Sequence, residues 1–135
     1  EVADYRLVGA HTVFTDPQIA AVGMSEKELQ QKGIAYVSGR YDFAEHGKAQ
    51  CLAKTKGFVK MMAGRESGRI LGAAIVGAQA SELIHEVIVA MSFDATVDQF
   101  MRIPHLHPML AEIWTYPAEE LAEKIVAERP LAIAR

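Results

Sequence analysis

The sequence predicts an α+β fold, a mostly antiparallel sheet packed against helices. Three features carry this expectation. Short β-branched and apolar runs precede Gly77, and the long helical periodicity begins only after it. Two of those runs flank Gly64-Arg65-Glu66-Ser67-Gly68, the pattern of a hairpin with a longer, glycine-containing loop. Strand and helix patterns also do not alternate, as a doubly wound parallel sheet would require.

Taken in order, His11–Thr15 and Ile19–Gly23 read as short strands separated by Asp16-Pro17, where proline lacks the amide that a ladder needs. Ser25 followed by Glu28 is a capping-box pattern, and the helix it opens should stop at Gly33, which takes the left-handed C′ conformation readily. Ile34–Phe43 alternates loosely as a strand, and Glu45–Gln50 reads as a polar loop around Gly47. Phe58–Ala63 and Ile70–Val76 form the hairpin, with Gly72 marking a close backbone approach or a bulge. Leu83, Ile84, Val87, Ile88 and Met91 then lie at helical spacing, with Glu82 in the first turn where it suits the helix dipole. Val89, Ala90 and Phe93 widen that apolar face and predict cover on both sides of the helix. Thr96 with Gln99 is a second capping box for a helix reaching Met101 and ended by Pro104. Pro108 suits the first turn of another helix, expected to bend before Pro117. The helical pattern resumes over Ala118–Ala127 with Leu121, Ile125 and Val126 inward.

A length of 135 residues suits one domain, which should bury about two-thirds of its unfolded surface. Counted with its glycines and without its tyrosines, the chain is about 55% apolar, above the roughly 45–50% usual for soluble domains. That surplus points to a partner interface. A net charge of −3 argues against nucleic acid or an anionic membrane as partner. The basic cluster Lys48, Lys54, Lys56 and Lys60 has no aromatic interleaving beyond Phe58 and reads as a solvated edge. The single cysteine, Cys51, cannot close an internal disulfide and reads as an inert thiol. No apolar run approaches the ~20 residues of a membrane-spanning helix, and Glu1-Val2-Ala3-Asp4 lacks a basic signal-like n-region. The expectation is a soluble, cytoplasmic protein.

The residues with chemical capacity cluster in Ile103-Pro104-His105-Leu106-His107-Pro108-Met109-Leu110-Ala111-Glu112. Histidine titrates near neutrality, and a carboxylate can fix its tautomer, so His107 and Glu112 can form an acid–base pair. Five residues along a regular helix turn through about 140°, so they can meet only if His107 lies outside the helix and folds back. The other reading is a structural histidine that caps the helix. A metal site at His105 and His107 needs a third ligand, from His11, His85 or Glu112, that no spacing specifies, so no metal is expected. His85 reads as a packed or interface histidine, and Trp114 as core or interface packing. Gly-x-Gly-x-x-Gly, the Walker A loop and Cys-x-x-Cys are all missing, which leaves no internal means of holding a nucleotide or forming a dithiol couple by those routes.

Phe14-Thr15-Asp16-Pro17, Val22-Gly23, Gly57-Phe58-Val59-Lys60, Ile70-Leu71-Gly72, Gly77 and Ala80-Ser81-Glu82-Leu83-Ile84 occur in that order. Over nearly its whole length the sequence thereby resembles the C-terminal dimerisation domain of the pyridine nucleotide-disulfide oxidoreductases, the group that includes dihydrolipoamide dehydrogenase. Each motif is short, but their order and intervals together are specific. His107-Pro108-Met109-Leu110-Ala111-Glu112 falls where that family carries His-Pro-Thr…Glu.

The resemblance implies that residues 1–135 are a single dimerisation domain, a C-terminal piece of a longer flavoenzyme whose nucleotide-binding domains lie outside the sequence. It implies FAD and NAD(P) in the parent enzyme, none bound to this chain alone, and a homodimer acting on a dithiol/disulfide substrate. His107 would be the proton shuttle for the partner subunit's redox disulfide, Glu112 its orienter, and His105 would lie near the partner subunit's FAD, through its backbone. Mercuric reductases and soluble transhydrogenases resemble this domain but generally lack that histidine, so His107 favours dihydrolipoamide as substrate. Met109 in place of threonine, and Pro117 where the family's helix continues, depart from the pattern. The resemblance also gives the apolar surplus a use, with the helix Leu83–Met91 and the segment around Trp114 as the expected dimer surface. By itself the chain should dimerise and should not turn over.

Overall fold

The computed structural model describes residues 9–128; Glu1–Asp4, read above for a signal segment, lies outside them. Five strands form one antiparallel sheet: β1 (His11–Val13), β2 (Gln18–Gly23), β3 (Tyr36–Asp42), β4 (Phe58–Gly64) and β5 (Ile70–Gly77), in the spatial order β1-β2-β5-β4-β3. The helices are α1 (Glu26–Gln31), α2 (Gly47–Cys51), α3 (Ala80–Ser92), α4 (Val97–Met101) and α5 (Thr115–Glu128), with 3₁₀ turns at Phe43–Glu45 and Leu110–Trp114. The α+β reading holds, as does the β4–β5 hairpin.

Register aligns the apolar positions across four strands. Ala20, Ile75, Val59 and Tyr41 form one row, and Val22, Ala73, Met61 and Gly39 the next. Side chains two apart in a strand share a face, so both rows point to the same side. There α3 packs over β2 and β5 while α5 packs over β3 and β4, closing one continuous core. Close approaches depend on glycine, two of them at Gly39 and Gly72. A Cβ on Gly39 would stand 2.4 Å from the Pro117 carbonyl oxygen, and one on Gly72 2.2 Å from that of Met24. The close approach expected at Gly72 is therefore present, and a register irregularity lies beside it, between Met62 and Ala63.

Local signals set both capped helices. The Ser25 amide donates to Glu28 Oε2 (2.8 Å) while the Glu28 amide donates to Ser25 Oγ (3.3 Å), and Gly33 follows at φ +65°. Thr96 and Gln99 repeat the exchange at 2.9 and 3.2 Å.

Four expectations are corrected. Glu45–Gln50 is not a loop: it enters α2, whose inward Ala49 is fully buried. Pro108 does not open a helix, because the turn starts at Leu110 with Met109 at its N-cap. Pro117 interrupts nothing, since α5 begins at Thr115 and the proline occupies the first turn, where no intrahelical amide bond is needed. Val126 is 65% exposed, on the outer side of α5 from Leu121 and Ile125.

Trp114 is also relocated. Its ring is fully buried in the chain's own core, and its Nε1–H donates to the Leu83 carbonyl at 2.8 Å, so it offers no surface to a partner. Among the described residues no helix is long and apolar enough to cross a membrane.

Candidate functional site

The segment from Ile103 to Met109 leaves α4 after Arg102, crosses the surface without regular structure, and delivers the chain to the 3₁₀ turn that carries Glu112. Ile113 and Trp114 anchor that turn in the core, which draws the neighbouring Glu112 inward until its side chain is 10% exposed. His107 stays outside with 76% of its side chain exposed and folds back over the intervening residues. Its Nδ1 lies 2.9 Å from Glu112 Oε2 and 3.1 Å from Oε1.

This is the contact that the five-residue spacing allowed only for a histidine outside the helix. With Nδ1–H donating to the carboxylate, the lone pair of the neutral ring sits on Nε2, aimed away from Glu112. The carboxylate thus fixes tautomer and ring orientation together, and a buried acid holds an exposed base by its inner nitrogen. The capping alternative for His107 is overturned, because Met109 holds the N-cap position and no side chain caps that turn.

His105 is not brought to this pair. Its Nδ1 lies 2.9 Å from the Ile103 carbonyl and its Nε2 2.5 Å from Glu86 Oε1 on α3, with the Phe100 ring 5.7 Å away. Both ring nitrogens therefore face acceptors within the chain, and the ring ties the segment to α3. The His105 ring is thus engaged within the chain, which leaves the backbone at this residue to meet an outside group. His85 is exposed on α3 rather than packed in this chain, and Cys51 is exposed and free. Among the described residues no three acidic, histidine or cysteine side chains converge as metal ligands. A cleft of about 730 Å³ between the β1–β2 connection and the 52–56 loop reaches Leu110 but holds neither His107 nor Glu112.

A residue that sequence reading missed stands behind Glu112. His46, fully buried, precedes α2 and caps it, its Nδ1 accepting from the Ala49 amide at 3.4 Å. Its Nε2 lies 3.4 Å from Glu112 Oε1. Burial pushes the His46 pKa below the usual histidine range; the Glu112 charge opposes that and the charge on His107 adds to it. Tyr116 meets the ring edge-on with centroids 6.0 Å apart, and Tyr41 stacks on Tyr116 at 3.9 Å. Burial together with the electrostatics of Tyr116 and Glu45 holds the Tyr41 phenol above its ordinary range. The missed signal was the cap: histidine is not among the favoured N-cap residues, so His46-Gly47-Lys48-Ala49 did not read as a helix start.

A family model described as the pyridine nucleotide-disulphide oxidoreductase dimerisation domain matches residues 9–118. The chain is 37% identical over 126 residues to dihydrolipoyl dehydrogenase 3 of Haloarcula marismortui, a match covering 93% of this chain and 26% of that protein. It is 38% identical over 109 residues to the mitochondrial dihydrolipoyl dehydrogenase of Sus scrofa, covering 81% of this chain and 21% of that one. Among solved structures, LpdA from Mycobacterium tuberculosis matches with a TM-score of 0.81 at 30% identity, over 90% of this chain and 26% of its own. The HOCl-induced flavoprotein disulfide reductase RclA from Escherichia coli matches with a TM-score of 0.78 at 22% identity, over 82% of this chain and 25% of its own, and shares the fold. The chain thus spans only a fifth to a quarter of the length of these relatives.

Proposed function

Because the chain belongs to the pyridine nucleotide-disulphide oxidoreductase dimerisation-domain family, we propose that it serves an FAD- and NAD(P)-linked disulfide oxidoreductase of the dihydrolipoamide dehydrogenase type. In that role it pairs with a second copy of itself and supplies His107 as acid–base and Glu112 as its orienting carboxylate. The observation that carries the reading is the exposed His107 ring, held through Nδ1 by a buried carboxylate with Nε2 turned outward. A ring so placed can act on a group brought by another surface, here the partner subunit's redox disulfide and a dithiol substrate.

His107 Nε2 takes the proton of the first substrate thiol, and Glu112 stabilises the resulting imidazolium. The thiolate attacks one sulfur of the redox disulfide, whose S–S bond breaks, and His107 returns the proton to the departing cysteine thiolate. The second substrate thiol repeats the exchange on the mixed disulfide. The substrate leaves oxidised to its disulfide, and the enzyme is left with two thiols. FAD and NAD(P), bound by the parent enzyme, would supply the two-electron chemistry that reoxidises those thiols. The backbone around His105 would pass near that flavin, since its ring is already engaged with Glu86 and Ile103.

In the full-length enzyme, His107→Gln should lower disulfide turnover by roughly 10²–10⁴-fold, the range for loss of a positioned acid–base. Flavin content and dimer mass should be unchanged. Turnover equal to that of the parent would overturn the assignment.

A further inference from the structure

Among the described residues, His46 is the one fully buried side chain with a polar atom that has no hydrogen-bond partner, and that atom is Nε2. Its tautomer follows from its other nitrogen. Nδ1 accepts from the Ala49 amide, so it keeps its lone pair, and the hydrogen of the neutral ring must sit on Nε2. A buried N–H without an acceptor is costly, and buried donors are almost always paired. The acceptor in front of this one is Glu112 Oε1 at 3.4 Å, close enough to pair but without hydrogen-bond geometry here. Catalytic hydrogen bonds are often long or poorly aligned until a site is assembled and tighten only then.

We propose that His46 is a positioning residue for the His107–Glu112 pair, its Nε2–H fixing the Glu112 carboxylate from the buried side while His107 holds it from the open side. The proposal rests on the acid–base reading of His107 and extends it by one residue. The architecture suits this role. Phe43 is buried against Gly77 and fixes the 3₁₀ turn that leads into His46. Ala49, also fully buried, fixes the helix that follows. Tyr116, edge-on to the ring, lies on α5 just after the turn carrying Glu112. The imidazole therefore has little freedom to swing away from Glu112, and the carboxylate is gripped between two histidines of unequal exposure.

The test has two arms. In the 135-residue chain, ¹⁵N NMR of the histidine rings reads the His46 tautomer directly. A protonated Nε2 and bare Nδ1, with the Nε2–H resonance displaced by Glu112→Gln, are expected. The opposite tautomer, or a resonance indifferent to Glu112→Gln, would overturn the proposal whatever the fate of the catalytic reading.

In the full-length enzyme, His46→Leu should lower kcat roughly tenfold, about what one lost orienting hydrogen bond supplies. His46→Gln, which can place an amide N–H near the position of Nε2, should restore most of it. Once Glu112→Gln is present, His46→Leu should cost nothing further, because the residue acts through that carboxylate. Losses that add independently, or a Gln variant as poor as Leu, would mark His46 as merely structural. If instead His107→Gln itself left turnover intact, the acid–base reading would fall while the NMR arm still decided whether His46 and Glu112 are coupled.

Discussion

His46 and His107 flank the same carboxylate, yet one is fully buried and the other is 76% exposed. The difference has a consequence for stability. Burial favours the neutral His46 ring, so its folded-state pKa lies below that of the unfolded chain, which is about 6.5. As pH falls through the ordinary histidine range, the unfolded chain takes up a proton that the folded ring refuses. The stability His46 contributes is therefore fully present above that range and is lost progressively as pH drops through it. In His46→Gln this titration is gone, so the drop in urea midpoint between about pH 7.5 and 5.0 should be smaller than in the parent chain. An equal drop in both would show that His46 is not held neutral by the fold. Spacing allowed the contact between His107 and Glu112 only for a histidine outside the turn, and the structure places His107 there. Nothing local in Glu45–Gln50 announced His46, since its partner lies 66 positions away in the chain.

The capped helices were legible because a capping box is closed within four residues, and both Ser25–Glu28 and Thr96–Gln99 form as read. The hairpin was legible for the same reason. The path from Pro108 to Pro117 was not, because the buried Ile113 and Trp114 decide where the chain turns, and the Trp114 ring is bonded to Leu83 of α3, 31 positions away. Gly39 shows the same dependence between distant elements. It reads as an ordinary residue in a strand, but α5 crosses so close that a Cβ there would stand 2.4 Å from the Pro117 carbonyl oxygen. Gly39→Ala should force α5 outward and cost about 1–3 kcal/mol, the usual range for overpacking. Urea denaturation would read this as a lowered midpoint, and an unchanged midpoint would mean that the backbone absorbs the methyl group.

At the scale of the whole molecule, the apolar surplus is spent in two places. Much of it fills the core beneath α3 and α5. The remainder includes Val89 on α3 and Phe93 at its C-cap, and Ile103 and Leu106 on the segment leading to His107, with Phe93 82% and Leu106 71% exposed. The His105–Glu86 contact ties that segment to α3, so both sets belong to connected parts of the surface. Contiguous apolar side chains left open are the composition of protein interfaces. On the proposed function this is the dimer face, and it would bring His107 against a second subunit. Replacing Phe93 and Leu106 together by glutamate should leave the fold intact and convert the dimer to monomer, as a halved mass in sedimentation. A mass unaffected by both charges would place the interface elsewhere.

By itself the sequence determined the α+β class, the hairpin and both capping boxes, because each is written in residues that lie close in the chain and are held by short-range sterics and hydrogen bonds; it allowed the His107–Glu112 contact, which the fold then made. The tertiary structure alone decided that Trp114 is core, that Pro117 sits harmlessly in a first turn, that His105 is turned onto Glu86, and that a third residue, His46, stands behind the carboxylate. Those outcomes depend on packing between elements dozens of residues apart, where burial rather than local pattern selects the neighbour.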